Sequence, residues 1–341
     1  MMSVRDLYDW AWIGIGAGAH ALTGSTPRAG YQGMVRQFCM TNGRSNDLLT
    51  NWIAKRHPPF NLPEPNGVLG SLGSSMDTVT QALNAKGYFV FPKKLDKDMC
   101  DRLQAFGLNE PSIVREDERP LADGGARRPY GPDRGHPRGI RYDVPIKALL
   151  ENDDVQTLLC DPSILGVAQS YLGSQPFADV LSMWWHTAYS DQPSEAAAQY
   201  FHFDMDRIKW LKFFIYLTDV GPENGPHSFV SGSHRTSGIP TDLIRKGYVR
   251  LTDEDVQAHY SKDSVIEFTG ERGTILAEDT RGLHKGKHVA SGDRLVLQLQ
   301  FSNSLFGGYY PPVRRPVFSA PSNQAFVERY PAIFSAFRPR S

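Results

Sequence analysis

The chain has 341 residues, of which 40% are hydrophobic and 22% are charged, a composition typical of a globular protein with a substantial core. Basic and acidic residues both number 37, so the net charge is zero, and neither nucleic acid nor a charged membrane surface is expected as a partner. No apolar run reaches the roughly 18 residues that a membrane-spanning helix needs.

The cysteines favour a reducing compartment. Cys39, Cys100 and Cys160 are far apart and odd in number, so they form neither a metal-binding spacing nor an obvious set of disulfides. We therefore expect a cytoplasmic protein.

Residues 1–75 are predicted to form an N-terminal extension with one or two helices, for example over 33–56, that ends in a stretch rich in Pro, Gly and Ser over 58–75. The glycines of segment 10–24 only superficially match the GxGxxG dinucleotide fingerprint, because no strand precedes them. An ordinary packed segment is expected there. Whether the extension caps the rest of the chain or mediates a dimer stays open.

The next elements alternate between helix and strand. Residues 76–86 are predicted to form a helix that Gly87 ends, followed by a short strand over 88–92 and an amphipathic helix over 95–107. Segment 115–141 holds seven arginines, five acids, five glycines and four prolines, so we expect a long loop that buries little.

The arginines of that loop have two interpretations. They contact either solvent or an anionic substrate, and the acids among them favour solvent. The residues concerned are Arg127, Arg128, Arg134, Arg138 and Arg141.

Residues 145–173 have helical periodicity, with a break at Pro162 and an end at Gly173. From there the chain becomes rich in β-branched and aromatic residues, and a turn is predicted over 221–229. Helices first and strands later favour an α+β fold with a β-sandwich or barrel core. The predicted strands cover 179–190, 199–206, 211–220, 264–270, 273–279 and 294–303.

A histidine and an aspartate stand two residues apart in the run QYFHFDMD, as His202 and Asp204. On a strand such side chains share one face, about 7 Å apart at Cα, and His284 from a distant segment can complete a three-ligand set. Two histidines and one carboxylate with open positions are the arrangement of non-heme Fe(II) oxygenases. Asp206 lies about 13 Å from His202 along a strand, too far to share a metal, and is either a rim residue or a substrate contact.

A second feature is Arg294, which opens the strand after the one that precedes His284. We expect a hairpin to bring these two residues onto neighbouring strands. An arginine grips a carboxylate through two parallel hydrogen bonds, as needed to hold the far end of a dicarboxylate cosubstrate. The alternative is a surface arginine, and the alternation leaves its facing direction open.

These residues resemble a known family. The motif His202-Phe203-Asp204, the stretch FFIYLTDVGPENGPHSFVSGSHR over 213–235, and the pair His284 and Arg294 are similar to the phytanoyl-CoA dioxygenase family of Fe(II)/2-oxoglutarate-dependent oxygenases. The resemblance extends over about residues 76–305. It implies a double-stranded β-helix, a cupin-like jelly roll, flanked by helices.

The resemblance also implies roles for residues. His202, Asp204 and His284 would bind Fe(II), and Arg294 would bind the 5-carboxylate of 2-oxoglutarate. For other positions the resemblance leaves more than one role. Trp184 and Tyr216 would line the cosubstrate pocket or are ordinary core residues, and His234 matches a family motif. The remaining histidines, His186, His227 and His288, are expected to be surface or core residues.

The approach to His284 departs from the family, because it is unusually charged. Glu278, Asp279 and Arg281 either orient His284 or pair with one another. The sequence leaves both possibilities open.

The function expected from the resemblance is hydroxylation or desaturation of an unactivated C–H bond of a small molecule, with Fe(II) as the cofactor and with 2-oxoglutarate and O2 consumed to give succinate and CO2. Asp206, Lys209 and Arg141 are candidate substrate contacts. The arginines over 127–141 and the pair Lys209-Trp210 favour an anionic or aromatic-bearing substrate. Two alternatives are a non-catalytic cupin-like metal- or ligand-binding protein and a Zn- or Mn-dependent hydrolase or isomerase. The latter would not need Arg294.

The predicted domain organisation has three parts. An extension over 1–75 precedes a jelly-roll domain with flanking helices over 76–308, and a C-terminal tail over 309–341 packs on that domain. Substrate identity, including whether it is bound to CoA or a carrier, and the oligomeric state cannot be derived from the sequence.

Overall fold

The computed structural model describes residues 4–116, 127–195, 197–247 and 249–339. Part of the predicted loop, residues 117–126, therefore lies outside the described residues. Among the described helices, none combines the length and the apolar character needed to cross a membrane.

The α-helices flank the strand-rich part of the chain on both sides in sequence. They are α1 (Val4–Thr23), α2 (Arg28–Thr41), α3 (Arg44–Arg56), α4 (Met76–Lys86), α5 (Lys97–Asn109), α6 (Ile146–Glu151), α7 (Asp153–Leu159), α8 (Pro162–Leu172), α9 (Thr241–Ile244), α10 (Asp253–Gln257) and α11 (Pro321–Arg329).

The strands are mostly short. They are β1 (Asn66–Gly67), β2 (Gly70–Ser71), β3 (Tyr88–Val90), β4 (Ser112–Arg115), β5 (Arg127–Arg128), β6 (Arg141–Val144), β7 (Phe177–Thr187), β8 (Trp210–Tyr216), β9 (His227–Val230), β10 (Val265–Phe268), β11 (Ile275–Glu278), β12 (His284–Gly286), β13 (Asp293–Ser302), β14 (Val313–Arg315) and β15 (Phe337–Pro339).

Two antiparallel sheets form the core. The large sheet has the order β3-β11-β8-β13-β7-β6-β4-β5, and the small sheet has the order β10-β9-β12. Buried side chains from both sheets join in one cluster, so the sheets face each other as in a jelly roll, and this fold class is confirmed. The cluster consists of Trp184, Phe214, Tyr216, Val220, Phe229, Phe268, Leu276 and Val296.

The alternation along β13 assigns each side chain to one face of the large sheet. Leu295, Leu297 and Leu299 belong to the main apolar cluster, which packs the sheet against the helices. Val296 belongs to the cluster between the sheets. Arg294, one pleat away from Val296, therefore faces the interior, which settles the direction that the sequence left open.

Helices α1, α2 and α3 pack on the segment that carries His202. Phe38 of α2 contacts Phe203 with ring centroids 5.7 Å apart, and the Asn46 side chain of α3 donates to the Ile208 carbonyl at 2.8 Å. The extension thus supports the back of that segment. The division of the chain at residues 75 and 308 stays a prediction.

In two regions the structure contains more helices than the sequence predicted. The N-terminal extension holds three helices rather than one or two. The predicted break at Pro162 is present, with Asp161 as N-cap, but the 145–173 region also breaks at Asn152, whose side chain caps α7 by accepting from two backbone N–H groups.

One strand prediction and one turn prediction were wrong. Segment 199–206 is not a strand: it makes only isolated bridges, at Phe201 and His202. The predicted turn over 221–229 was too long, because strand β9 begins within it at His227. Alternating polarity imitates a strand in the first case, and in the second the turn runs directly into a strand.

The expectation that segment 115–141 buries little was also wrong for its described part. Tyr130, Asp133 and Ile140 are buried. Asp133 forms ion pairs with Arg128 at 2.7 Å and with Arg138 at 3.6 Å. Pairing with an acid, rather than plain solvation, therefore accounts for Arg128 and Arg138.

Two helix-ending glycines provide a test of the packing between α4 and the small sheet. Gly87 has a φ of 89°, and a Cβ there would lie 2.6 Å from the His234 ring and 2.7 Å from the Phe229 ring. Gly173 has a φ of 67° and no atom within 4 Å of such a Cβ. We expect Gly173→Ala to lower the free energy of unfolding by about 1 kcal/mol from backbone strain alone, and Gly87→Ala by about 2–4 kcal/mol. Urea denaturation measures both, and equal losses would contradict this packing.

Candidate metal centre

Two backbone hydrogen bonds bring His202 and His284 together. The His202 N–H donates to the His284 carbonyl at 2.9 Å, and the His284 N–H donates to the His202 carbonyl at 2.8 Å. Their ring centroids lie 4.3 Å apart. Asp204 is fixed next to them because its N–H donates to the Thr280 carbonyl at 2.8 Å.

The side chains of His202, Asp204 and His284 converge. One ligand atom from each lies within 4.8 Å of the others, and all three side chains are buried. The Nε2 of His202 is 3.7 Å from Asp204 Oδ1, and the Nε2 of His284 is 3.5 Å from Asp204 Oδ2. This arrangement offers two nitrogens and one carboxylate to a single cation.

The imidazoles are oriented for metal binding by backbone carbonyls. The Nδ1 of His202 lies 2.9 Å from the Tyr200 carbonyl, and the Nδ1 of His284 lies 3.0 Å from the Gly282 carbonyl. A carbonyl can only accept, so each Nδ1 carries the proton and each Nε2 presents a lone pair. Burial lowers the pKa of both histidines, that of His284 to about 4, which keeps the rings neutral near pH 7.

A lysine that the sequence analysis missed completes the charge balance. Lys212 of β8 donates to Asp204 Oδ2 at 2.6 Å and lies 3.5 Å from Asp206 Oδ2. Burial opposes ionisation of Asp204, but the Lys212 ammonium, together with His284 and His202, outweighs it and holds the pKa of this carboxyl below its usual range. A lysine inside the apolar run LKFFIYL was the available signal, since a buried charge needs a partner.

Two predicted substrate contacts have other neighbours in the structure. Asp206 is outside the three-ligand set and lies beside Lys212 and Tyr310. Lys209 donates to the Tyr171 carbonyl at 2.6 Å, and burial lowers its pKa to about 8. Both assignments stay predictions.

Arg294 is buried, and no described acidic residue pairs with it. Its Nη2 donates to His186 Nδ1 at 2.7 Å, while its Nε and Nη1 have no hydrogen-bond partner within the described structure. Burial lowers the pKa of Arg294 to about 10, so the group stays cationic near pH 7. Unpaired donors on a buried cation are costly, which makes this guanidinium a strong candidate for binding an anion.

The predicted hairpin geometry of His284 and Arg294 was wrong. His284 belongs to β12 of the small sheet and Arg294 to β13 of the large sheet. The strand of His284 faces Arg294 across the interior instead. A Cβ on Gly286, two residues after His284, would lie 3.3 Å from Arg294 Nη2 and 3.6 Å from the His186 ring. His284 and Gly286 share one face of β12, about 7 Å apart, a span that a five-carbon dicarboxylate can bridge.

The two aromatic candidates differ in their polar atoms. The Tyr216 hydroxyl donates to the Phe268 carbonyl at 2.8 Å and accepts from the His227 N–H at 3.3 Å, so it is already engaged. The Trp184 Nε1 is buried and has no hydrogen-bond partner among the described residues.

The charged residues before His284 pair with other groups. Asp279 forms an ion pair with Arg281 at 2.6 Å, and Glu278 lies 2.9 Å from His227 Nε2. Since a backbone carbonyl holds the His284 ring, the structure favours pairing for Asp279 and Arg281, whereas Glu278 contacts His227 and matches neither alternative. His227 and His186 are both buried, but neither contacts only the apolar core. The His227 ring lies beside the His284 ring, and His186 accepts a hydrogen bond from Arg294.

The chain matches one family model over more than half its length. The model described as Phytanoyl-CoA dioxygenase (PhyH) covers residues 83–295. No curated protein matches the chain.

Among solved structures, the chain is similar to three proteins at low identity. The first is the non-heme alpha ketoglutarate dependent carbocyclase SnoK from nogalamycin biosynthesis, with 15% identity, 66% of this chain and 82% of that one covered, and a TM-score of 0.46. EctD from S. alaskensis with bound Fe has 20% identity, coverage of 68% and 80%, and a TM-score of 0.48. HygX from Streptomyces hygroscopicus with nickel and 2-oxoglutarate bound has 13% identity, coverage of 68% and 89%, and a TM-score of 0.48.

Asp204 and Asp206 form a matched pair for testing the metal site. Asp204→Ala removes the carboxylate from the three-ligand set, and we expect the affinity for Fe(II) to fall by more than about 100-fold. Asp206→Ala leaves that set intact, and less than about a 10-fold loss is expected. Anaerobic equilibrium dialysis measures both affinities, and similar losses in the two variants would contradict the assignment of Asp204 as a metal ligand.

Proposed function

Because the chain belongs to the phytanoyl-CoA dioxygenase family, we propose that it is an Fe(II)- and 2-oxoglutarate-dependent oxygenase that hydroxylates or desaturates an unactivated C–H bond of a small molecule. One observation carries the proposal furthest: a three-ligand cluster of His202, Asp204 and His284 shares the barrel interior with a buried Arg294 that has no acidic partner among the described residues.

The residues fit the implied groups by their chemistry. Two neutral imidazoles and an ionised carboxylate form the two-histidine, one-carboxylate set of non-heme Fe(II) oxygenases. The unpaired N–H donors of Arg294 match the oxygens of a carboxylate. Iron, 2-oxoglutarate and O2, when bound, supply the oxidation of the C–H bond, with succinate and CO2 as by-products.

The chain's own part is to bind, orient and exclude water. His202, Asp204 and His284 would hold the iron on one side and leave the other side open. Arg294, itself held by His186, would fix the far carboxylate of the cosubstrate. Trp184 and Tyr216 would line the cosubstrate pocket, and the apolar cluster between the sheets keeps water from the rest of the interior.

Lys212 would act on the iron ligand rather than on a reactant. Its hydrogen bond to Asp204 Oδ2 occupies a carboxylate oxygen and favours binding of the metal through the other. This preserves open positions on the metal for cosubstrate and O2.

One of the two alternatives lacks a use for Arg294. A Zn- or Mn-dependent hydrolase or isomerase has no need of a buried guanidinium with free donors opposite its metal ligands. A non-catalytic binding protein would bind metal and 2-oxoglutarate without consuming oxygen. Oxygen-dependent succinate release by the purified, iron-loaded chain separates the proposal from both, and its absence with every candidate substrate would favour the non-catalytic alternative.

Substitution of Arg294 tests the cosubstrate site. Arg294→Met removes a charge-assisted, two-pronged contact, so the affinity for 2-oxoglutarate should fall by roughly 10- to 100-fold. Arg294→Lys keeps the charge but loses the fork, and an intermediate loss is expected. Anaerobic binding is followed by the visible charge-transfer absorption of the Fe(II) complex. Unchanged affinity in Arg294→Met, with Fe(II) still bound, would contradict the assignment.

A further inference from the structure

A row of basic side chains crosses four strands of the large sheet. Register pairs join Arg115 of β4 to Arg141 of β6, Arg141 to His186 of β7, and His186 to Arg294 of β13. Directly opposed residues on antiparallel strands project to the same face of a sheet. Because Arg294 faces the interior, the whole row faces it.

The row carries more positive charge than Arg294 alone explains. Asp143 accepts from Arg115 Nε at 2.5 Å and from Arg141 Nε at 2.7 Å, so two guanidinium groups share one carboxylate. Once the cosubstrate neutralises Arg294, one positive charge remains on the Arg115–Asp143–Arg141 group. The segment's other arginines differ: Arg134, for example, pairs with Asp293 and lies over Trp185, which faces the opposite side of the sheet.

Two buried donors lie beside this surplus charge. The Arg141 guanidinium lies 4.6 Å from the centre of the Trp184 ring, and the Nε1 of Trp184 has no described hydrogen-bond partner. An arginine can only donate, so the His186 Nδ1 that faces Arg294 is an acceptor, and the neutral ring carries its proton on Nε2. That Nε2 is also buried and without a described partner. Such donors need an acceptor, and no described residue supplies one.

Depth separates the two ends of the row. Arg294 is 2% exposed, whereas the side chains of Arg141 and Arg115 are 18% and 26% exposed. The Arg294 end therefore suits the deeply held cosubstrate, and the Arg141 end suits a group that enters later and nearer to solvent.

We propose that Arg141, supported by Arg115, binds an anionic group of the primary substrate, a carboxylate, phosphate or sulfate, at a position distinct from the cosubstrate position at Arg294. The proposal deepens the function proposed above, and rests on it for the assignment of the Arg294 end. Arg141 is thereby assigned as a specificity-determining residue. The neutral His186 lies between Arg141 and Arg294 in the row, and so between the two anion positions.

Inorganic sulfate is the probe that distinguishes the two positions. Equilibrium dialysis of radiolabelled sulfate against the full, Fe(II)-loaded chain is carried out without oxygen, with and without saturating 2-oxoglutarate. We expect 2-oxoglutarate to displace one sulfate and to leave a second one bound. Arg294→Met should abolish the displaceable sulfate, and Arg141→Met should weaken the retained sulfate at least about 10-fold.

The control is Arg138→Met, which removes an arginine of the same segment whose side chain is 63% exposed and 3.6 Å from Asp133. It should bind both sulfates as the unsubstituted chain does. Arg141→Lys should keep the retained sulfate within about 3-fold, since the charge persists. If Arg141→Met does not fold, Arg115→Met removes the same surplus charge and should weaken the same sulfate.

The outcomes separate the two proposals. No sulfate retained at saturating 2-oxoglutarate, or equal retention in Arg141→Met and the unsubstituted chain, overturns the substrate-anion site and leaves the oxygenase proposal standing. Loss of sulfate in Arg141→Met, with no sulfate displaced by 2-oxoglutarate, supports the anion site and overturns the cosubstrate assignment. A screen of carboxylic acids against their amides for stimulated succinate release then extends the result to substrates.

Discussion

The arrangement of the barrel interior depends on one short backbone contact. Paired hydrogen bonds between His202 and His284 join two segments that are 82 positions apart, and they do so without a continuous strand at His202. Each imidazole is then oriented by a carbonyl two residues before it. The ligand geometry thus comes from the main chain, which side-chain substitutions elsewhere alter little, and helices α2 and α3 support the segment from behind.

Charge in this interior is distributed in two groups. Around the candidate metal position, Lys212 contacts both Asp204 and Asp206, so neither carboxyl group lacks a cationic neighbour. Along β13, β7 and β6, the described cations outnumber the described acids that contact them. Bound anions would offset this excess, and most of all at the buried donors of Arg294, because an unsatisfied buried cation destabilises a fold. A dianionic cosubstrate and an anionic substrate would together remove the excess.

The sequence predicted the chemistry better than the local geometry. His202, Asp204, His284 and Arg294 were found from residue type, spacing and family resemblance, and the structure brings all four to one interior. The strand over 199–206 and the hairpin between His284 and Arg294 were wrong, because polarity patterns do not reveal which sheet a short segment joins. His186 contacts Arg294 through the register of β7 with β13, and Lys212 contacts Asp204 through the fold of a segment that is not a strand. Neither arrangement can be derived from a local sequence pattern.

The most direct measurement is a crystal structure of the chain grown without oxygen in the presence of Fe(II) and 2-oxoglutarate, with the iron located by anomalous scattering. We expect a single iron peak bonded to Nε2 of His202, Nε2 of His284 and one oxygen of Asp204, and 2-oxoglutarate extending from it to the Arg294 guanidinium. Iron bound elsewhere, or 2-oxoglutarate with its far carboxylate away from Arg294, would contradict this account.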